Sequence, residues 1–309
     1  MLWLTIAILS YLLLAIVALV DKYLLKSAFL NPGSYAFYGG ALGGLILIIS
    51  PFVGFYVPQP KEIVIALLAG ALFVYALFWL YKGLKVYEAS RIIPAIGGLV
   101  PLFTFGLIFL LGEEVLLSKQ IIAFFLLVSG SVLITIKNFR EVSFKSLKVS
   151  AVAAFLFSLF FVLSKYAYMY IGFWPGFVWI KIGGLMMAFC FLLWGKEVKQ
   201  EIFGSFRSLK ERDRMFGVLF LNQTMGGGAN ILQSWAISLA PLACVAIVNA
   251  LQGIQYIFLL VLTVILSFFF PFWSKKIGIE EEISQKAIFQ KIFAIFLIGG
   301  GLWLLTFSK

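Results

Sequence analysis

The sequence predicts an all-α integral membrane protein whose ten transmembrane helices form two inverted five-helix repeats. Three observations predict this fold: an apolar composition, ten apolar runs of membrane-spanning length, and sequence echoes between two halves. Hydrophobic residues make up 63% of the 309 residues, charged residues only 12%, and the mean hydropathy is +1.08. A soluble domain carries roughly 25% charged residues, so most of this chain must face lipid or other helices.

The ten apolar runs each approach the roughly 20 residues that a helix needs to cross the hydrocarbon core. The runs cover residues 2–20, 34–57, 62–81, 91–112, 119–136, 149–170, 174–194, 215–237, 241–271 and 287–307. Such long unbroken runs favour helices, because a membrane-spanning strand would show about ten residues of alternating polarity. The first run follows no basic segment and precedes no cleavage site, so we interpret it as a retained helix rather than a signal peptide.

Two sequence echoes predict an internal duplication. The pattern Lys-Tyr, eight further residues and Pro-Gly occurs at 22–33 and again at 165–176. Near the last helix of each half, a glutamate precedes a glycine by 17 residues, first at Glu113 and Gly130, then at Glu282 and Gly299. We therefore divide the chain into a first repeat at 1–137, a basic connecting loop at 138–148, and a second repeat at 149–309.

The odd number of helices in each half predicts that the repeats are inverted. After five crossings the chain re-enters the membrane from the opposite side, so the second half has the reverse orientation. Inverted repeats support alternating access, in which two halves rock around a binding site near the bilayer midplane.

The distribution of basic residues predicts the orientation in the membrane. The odd-numbered loops, together with the run ends next to them, carry 19 basic residues. The termini and the even-numbered loops, counted in the same way, carry 4, namely Lys61, Lys119, Lys165 and Lys309. Because basic loops remain on the cytoplasmic side, we expect cytoplasmic odd-numbered loops, external termini, and a location in the inner or plasma membrane of a prokaryotic cell.

Composition also excludes several classes of function. The net charge of +11 is not a sign of nucleic-acid binding, because no basic soluble domain is left over to bind it. Histidine is absent, Cys190 and Cys244 lie inside apolar runs, and no phosphate-binding GxxxxGK[ST] motif is present. We expect no enzyme activity, catalytic residue, metal or cofactor. The expected partners are membrane lipids and a small-molecule substrate, with monomer and homodimer both left open.

Lys181 lies deep inside the apolar run at 174–194. It follows Trp174 by seven residues and precedes Trp194 by thirteen, with no acid in the same run. A charged side chain at membrane depth indicates a functional site facing a polar cavity, where the ammonium group would meet an anionic substrate. The alternative is that the four methylenes let the charge reach the nearer interface.

Polar side chains on the eighth and ninth runs predict a binding cavity between the halves. In each run they recur at helical spacing and therefore share one face. Two aromatic residues on the third run share a face in the same way. The candidate substrate-binding residues are Tyr75, Trp79, Lys181, Asn222, Asn230, Gln233, Asn249, Gln252 and Tyr256. The alternative for the amides is a zipper of hydrogen bonds between packed helices, and for the aromatics ordinary packing.

Two further features concern bending and the membrane surface. Prolines and glycines inside apolar runs predict hinges at Pro94, Pro101, Gly226, Gly227 and Gly228. Between 196 and 214, Val198, Ile202, Phe206 and Leu209 form an apolar stripe beside basic residues. This pattern is typical of an amphipathic helix that lies at the lipid headgroups.

A family resemblance rests on the end of the first half. Gly112-Glu113-Glu114, then Lys119-Gln120, then Gly130 before an apolar tail resembles the end of an EamA-type repeat. The tight turn and proline-containing helix at 81–101 are similar too. The chain thus resembles the drug/metabolite transporter superfamily over nearly its whole length. The second half departs from the pattern, with three glutamates at 280–282 in place of a glycine-glutamate pair.

The resemblance implies a secondary transporter that exports or exchanges a small metabolite, such as an amino-acid-like or other polar or amphipathic solute, through a cavity between the halves. Many such proteins have cytoplasmic termini, whereas the charge distribution of this chain predicts the reverse. Two alternatives come from other classes. A membrane-embedded enzyme acting on a lipid-linked substrate would need catalytic groups that converge on one cavity, and a structural or receptor subunit would have a packed interior.

Overall fold

A computed structural model of the chain describes residues 2–27, 31–48, 50–87, 89–112, 116–135, 144–205, 212–269 and 285–307. Within these ranges every regular element is a helix. The α-helices are α1 (Leu2–Ser27), α2 (Pro32–Gly43), α3 (Pro60–Val86), α4 (Ala89–Leu110), α5 (Ser118–Thr135), α6 (Phe144–Ile171), α7 (Phe173–Trp194), α8 (Lys196–Ser205), α9 (Arg212–Leu239), α10 (Val245–Ala250), α11 (Gln252–Phe269) and α12 (Gln285–Phe307).

Six segments of the described residues are long and apolar enough to cross a membrane, as a multi-pass protein requires. They are Leu2–Val20, Pro60–Val86, Phe144–Ile171, Phe173–Leu193, Leu242–Leu266 and Phe289–Thr306. Two further apolar stretches, Ala95–Leu110 and Ser118–Ile134, are shorter. The second run is an α-helix of 12 residues followed by 3-10 turns. The all-helical class is therefore confirmed for the described residues, and the number ten stays a prediction.

Local sequence explains several helix ends. At α2 the Asn31 side chain accepts a hydrogen bond from the Gly33 backbone N–H, and Pro32 takes the first helical position. Gln59 and Glu62 form a capping box at the start of α3. Gly172 alone joins α6 to α7, and its φ of +79° is a conformation that favours glycine.

Helices distant in sequence pack together in the core. α3 lies against α6 and α7, α1 against α9 and α11, and α4 against α6. The contact between α5 and α12 is reciprocal. Gly130 of α5 lies against Ala294 and Ile298, and Gly301 of α12 lies against Ala123 and Leu127. The three positions on α5 and the three on α12 differ by one constant offset of 171 residues (123 and 294, 127 and 298, 130 and 301). The two helices therefore meet through equivalent surfaces.

The apolar stripe of α8 faces protein. Val198 and Ile202 are only 5% and 6% exposed, and a Cβ on Gly33 of α2 would lie 2.7 Å from Val198 Cγ2. This half of the stripe therefore packs on α2, contrary to the interpretation as a headgroup-binding helix. Phe206 and Leu209 lie outside the described residues.

Two carboxylates of α8, which the sequence analysis did not single out, hold the start of α2. Glu201 accepts hydrogen bonds from the Asn31 N–H and from the Ser34 hydroxyl, and Glu197 accepts one from the Asn31 amide. Acids stabilise a helix N-terminus because its unpaired N–H groups carry partial positive charge. The carboxylates thus fix α8 to α2.

Three details of the sequence analysis are corrected. Lys165 was assigned to a loop, but it lies inside α6 and is 5% exposed. The ninth run is interrupted at Leu251, which separates α10 from α11. α6 begins at Phe144, so residues 144–148 of the proposed connecting loop are helical.

Candidate functional site

A small cavity lies among α2, α3, α6, α7 and α9. Its lining combines glycines and apolar side chains with three polar residues. The lining residues are Gly39, Gly40, Gly43, Gly70, Phe73, Val74, Phe160, Phe177, Ile180, Lys181, Gly184, Asn230 and Ser234. The space is about 330 Å³ when its open edge is included, but its free interior has room for only about one water molecule.

Lys181 is the charged residue of this lining. Its Nζ donates a hydrogen bond to Asn230 Oδ1 at 2.9 Å. The same Nζ lies 4.9 Å from the ring centroid of Phe177 and 5.5 Å from that of Phe73, within the range of a cation–π interaction. These contacts hold the ammonium group inside the helix assembly, as the cavity interpretation of Lys181 requires.

Glycines bring α2, α3 and α7 close enough to form one wall of the cavity. A Cβ on Gly70 of α3 would lie 1.8 Å from the Ile180 carbonyl oxygen, and one on Gly183 of α7 would lie 2.1 Å from the Leu67 oxygen. A Cβ on Gly40 of α2 would lie 2.9 Å from the Gly184 oxygen. Small residues permit such backbone contact between membrane helices.

Gln233 belongs to a separate hydrogen-bonded network, although it lies only three residues from Asn230 on α9. Its Nε2 donates to Tyr11 Oη at 3.2 Å, and Tyr11 Oη donates to the Val248 carbonyl at 2.8 Å. Asn249 Nδ2 donates to Thr104 Oγ1 at 3.0 Å. These residues link α1, α4, α9 and α10 pairwise, which is the zipper arrangement.

The remaining candidate residues lie outside the cavity lining. Tyr75 packs on Phe78 and Trp79, with ring centroids 6.2 and 6.5 Å apart. Gln252 and Tyr256 face Gly97 of α4, where an added Cβ would lie 2.8 Å from Tyr256 Oη.

Asn222 and Trp79 also lie outside the cavity lining. Asn222 is buried on α9, 3% exposed. Trp79 packs beside Ile92 and Ile96. Of the nine candidates, the structure therefore brings Lys181 and Asn230 together at the cavity.

The proposed hinge residues lie in uninterrupted helices. α4 continues through Pro94 and Pro101, and α9 continues through Gly226, Gly227 and Gly228. An added Cβ on Gly227 or Gly228 would meet nothing within 4 Å, and one on Gly226 would lie 3.6 Å from Val17. Hinge motion at these positions stays a prediction.

Several lining residues were missed by the sequence analysis. The glycines of α2 offered a signal, since Gly39 and Gly43 show the four-residue spacing typical of close helix packing. Phe73, Phe177 and Ser234 carried no distinguishing pattern in a chain with 34 phenylalanines. Among the described residues, no group of three or more His, Cys, Asp or Glu side chains could hold a metal ion.

Comparisons with known proteins show the fold. No protein-family model and no curated protein sequence matches the chain. Solved structures do match, and one of them is described only as "Crystal structure of protein". That structure has a TM-score of 0.67 and 16% sequence identity, over 98% of this chain and 96% of the other. The chain therefore has, along almost its whole length, a fold found in a crystal structure.

Proposed function

We propose that the chain is a secondary transporter that moves a small polar or amphipathic solute across a cell membrane by alternating access. The observation that carries the proposal is the cavity at Lys181 and Asn230. An ammonium group and an amide are costly at membrane depth, and here they face a cavity rather than pairing fully with protein groups. Such a site serves a solute that replaces part of its hydration by protein contacts.

The position of the cavity supports transport. α2 and α3 come from the proposed first repeat, and α6, α7 and α9 come from the second. A relative movement of the repeats would therefore change the cavity directly. The small free volume corresponds to a closed state, so solute binding requires that these helices separate.

Helix packing supports the inverted-repeat arrangement. We match the helices of the two halves in order, leaving out the short α8 and taking α10 and α11 as one run, so that α1 corresponds to α6 and α3 to α9. The contact of α3 with α6 then corresponds to that of α9 with α1. The contact of α4 with α6 likewise corresponds to that of α11 with α1. The reciprocal contact of α5 with α12 is what a two-fold axis between the halves would produce.

The resemblance to the drug/metabolite transporter superfamily and the orientation remain part of this proposal. The 19 to 4 excess of basic residues supports cytoplasmic odd-numbered loops, and it becomes 19 to 3 when the buried Lys165 is left out. Labelling of a cysteine at position 309 from outside intact cells, with a cysteine at position 207 protected, is the expected result.

A plugged cavity tests the proposal. Purified protein would be reconstituted into liposomes loaded with a mixture of unlabelled amino acids and carboxylic acids, and counterflow of the labelled compounds measured. A Cβ on Gly43 would lie 3.5 Å from Lys181 Cδ, an ordinary contact. Gly43→Leu should therefore stay folded while its longer side chain fills the cavity and stops uptake.

Gly106→Leu is the matched control, since an added Cβ there meets nothing within 4 Å and Gly106 does not line the cavity. It should keep wild-type uptake. Equal uptake by Gly43→Leu and wild type, at equal amounts of folded protein, would contradict the proposed route.

A further inference from the structure

The cavity lining presents a positive charge without a neighbouring carboxylate. No Asp or Glu is among the lining residues that the structure describes. A lone cation at membrane depth is unfavourable, and an opposite charge brought close to it lowers its energy. The ligand that best offsets this cost is an anion.

The hydrogen-bonding groups of the cavity are mostly donors. An ammonium group has three N–H donors and no acceptor. Within the described part of the chain, Lys181 Nζ has one hydrogen bond, to Asn230 Oδ1. Asn230 also carries an NH₂ group with two donors of its own. Two adjacent donor groups match the two oxygens of a carboxylate.

The same groups disfavour a solute that carries its own ammonium group. Asn230 Oδ1 already accepts from Lys181, which leaves the Ser234 hydroxyl as the other side-chain acceptor of the described lining. A second cation would also be repelled by Lys181. The rest of the lining is glycine, Phe73, Val74, Phe160, Phe177 and Ile180, which suits an apolar body.

We propose that the transported solute is a small organic anion, a carboxylate with an apolar body, whose oxygens bind Lys181 and Asn230. This inference rests on the proposed transport function and narrows its substrate class. It excludes zwitterionic amino acids and amines as preferred substrates.

Four compounds with one carbon skeleton test the charge preference. The full-length protein in phosphatidylcholine nanodiscs would be incubated with 4-methylvalerate, the neutral 4-methylvaleramide, zwitterionic leucine and cationic 4-methylpentylamine, and its thermal midpoint recorded. The carboxylate should raise the midpoint most, because a ligand that binds only the folded state stabilises it. A larger shift with leucine, the amine or the amide would overturn the inference.

Charge variants test the role of Lys181. Lys181→Gln should weaken 4-methylvalerate binding about tenfold or more, since hydrogen bonds to charged groups are among the strongest. Lys181→Arg should keep part of the affinity because it keeps the charge. Lys61→Gln removes an exposed lysine outside the cavity and should leave binding unchanged. Equal binding by Lys181→Gln and wild type would overturn the inference.

Two further arms separate the possible outcomes. In the first arm, phosphatidylglycerol is added to the nanodiscs. If it raises the thermal midpoint of the wild type by itself and abolishes the response to 4-methylvalerate, and has neither effect on Lys181→Gln, the bound anion is a lipid headgroup. That result overturns the assignment to a solute. In liposomes, binding of 4-methylvalerate without its counterflow contradicts the transport function but not the anion site. If leucine shows counterflow and Lys181→Gln does not change it, the anion assignment is overturned, whereas the transport function is supported.

Discussion

Two lysines on neighbouring helices of the second half differ in what surrounds their ammonium groups. Lys165 of α6 donates to the Ser238 and Ala240 carbonyls at 2.8 and 2.5 Å, at the C-terminal end of α9. A cation is favoured there because unpaired carbonyls carry partial negative charge. Lys181 of α7 has one amide partner and faces a cavity. The first lysine is bound by protein carbonyls, and in our proposal the second keeps donors for a ligand.

The same contrast divides the amides of α9. Gln233 is bonded to Tyr11, which is itself bonded to α10. Asn230, less than one turn away, lies at the cavity beside Lys181. One helix therefore carries both a structural hydrogen-bonded network and a candidate binding site. The variants below test this division, in order of the loss of unfolding free energy expected.

The largest loss is expected at the glycine contact that forms the cavity wall. Gly70→Ala would place a Cβ 1.8 Å from the Ile180 oxygen, so α3 and α7 must move apart. Overpacking of this kind costs roughly 3 kcal/mol. The measurement is reversible unfolding in mixed micelles. Gly106→Ala, where nothing lies within 4 Å, is the control and should not be destabilised.

The two lysines should respond oppositely to one substitution. Lys165→Met leaves two carbonyls at the end of α9 without their donor and should cost about 1–3 kcal/mol. Lys181→Met removes a charge that no carboxylate of the described cavity lining offsets, so its unfolding free energy should be unchanged or higher. Both values come from the same unfolding experiment. A loss of stability at Lys181→Met as large as that at Lys165→Met would remove the distinction.

Tyr11→Phe tests the hydrogen-bonded network alone. The missing hydroxyl removes the donor to the Val248 carbonyl and the acceptor of Gln233, and interhelical hydrogen bonds in membranes contribute about 0.6–2 kcal/mol each. Transport per folded molecule should be unchanged. Tyr170→Phe, on a tyrosine that is 56% exposed, should change neither property.

Part of this arrangement could be predicted from sequence. Lys181 and Asn230 stood out because polar residues are rare inside apolar runs, and helix positions followed from the lengths of those runs. The different roles of Asn230 and Gln233 could not be predicted, because both lie on one face of α9. Their roles are set by partners far along the chain, as with Tyr11, 222 residues from Gln233.

The cavity wall could not be predicted from the sequence for a related reason. Gly70 forms it only because α7 lies against α3, and single-sequence periodicity does not say which helices meet. Lys165 was assigned to a loop because it is charged, although it lies inside the run at 149–170, and α6 continues through it to Ile171. Local pattern thus gave helices and polar candidates, whereas tertiary contacts decide which candidates share a site.

A small loss of stability is expected for Asn230→Ala, together with a large loss of transport. The variant removes one acceptor from an ammonium group that already lies beside two aromatic rings and an open space, so unfolding should change by less than about 1 kcal/mol. Solute binding would lose its amide donor, and counterflow should fall about tenfold or more. Gln233→Ala, three residues on, should do the reverse, with lower stability and normal counterflow per folded molecule. If Gln233→Ala stopped transport while Asn230→Ala transported normally, the binding site would lie at the Tyr11 network and not at Lys181.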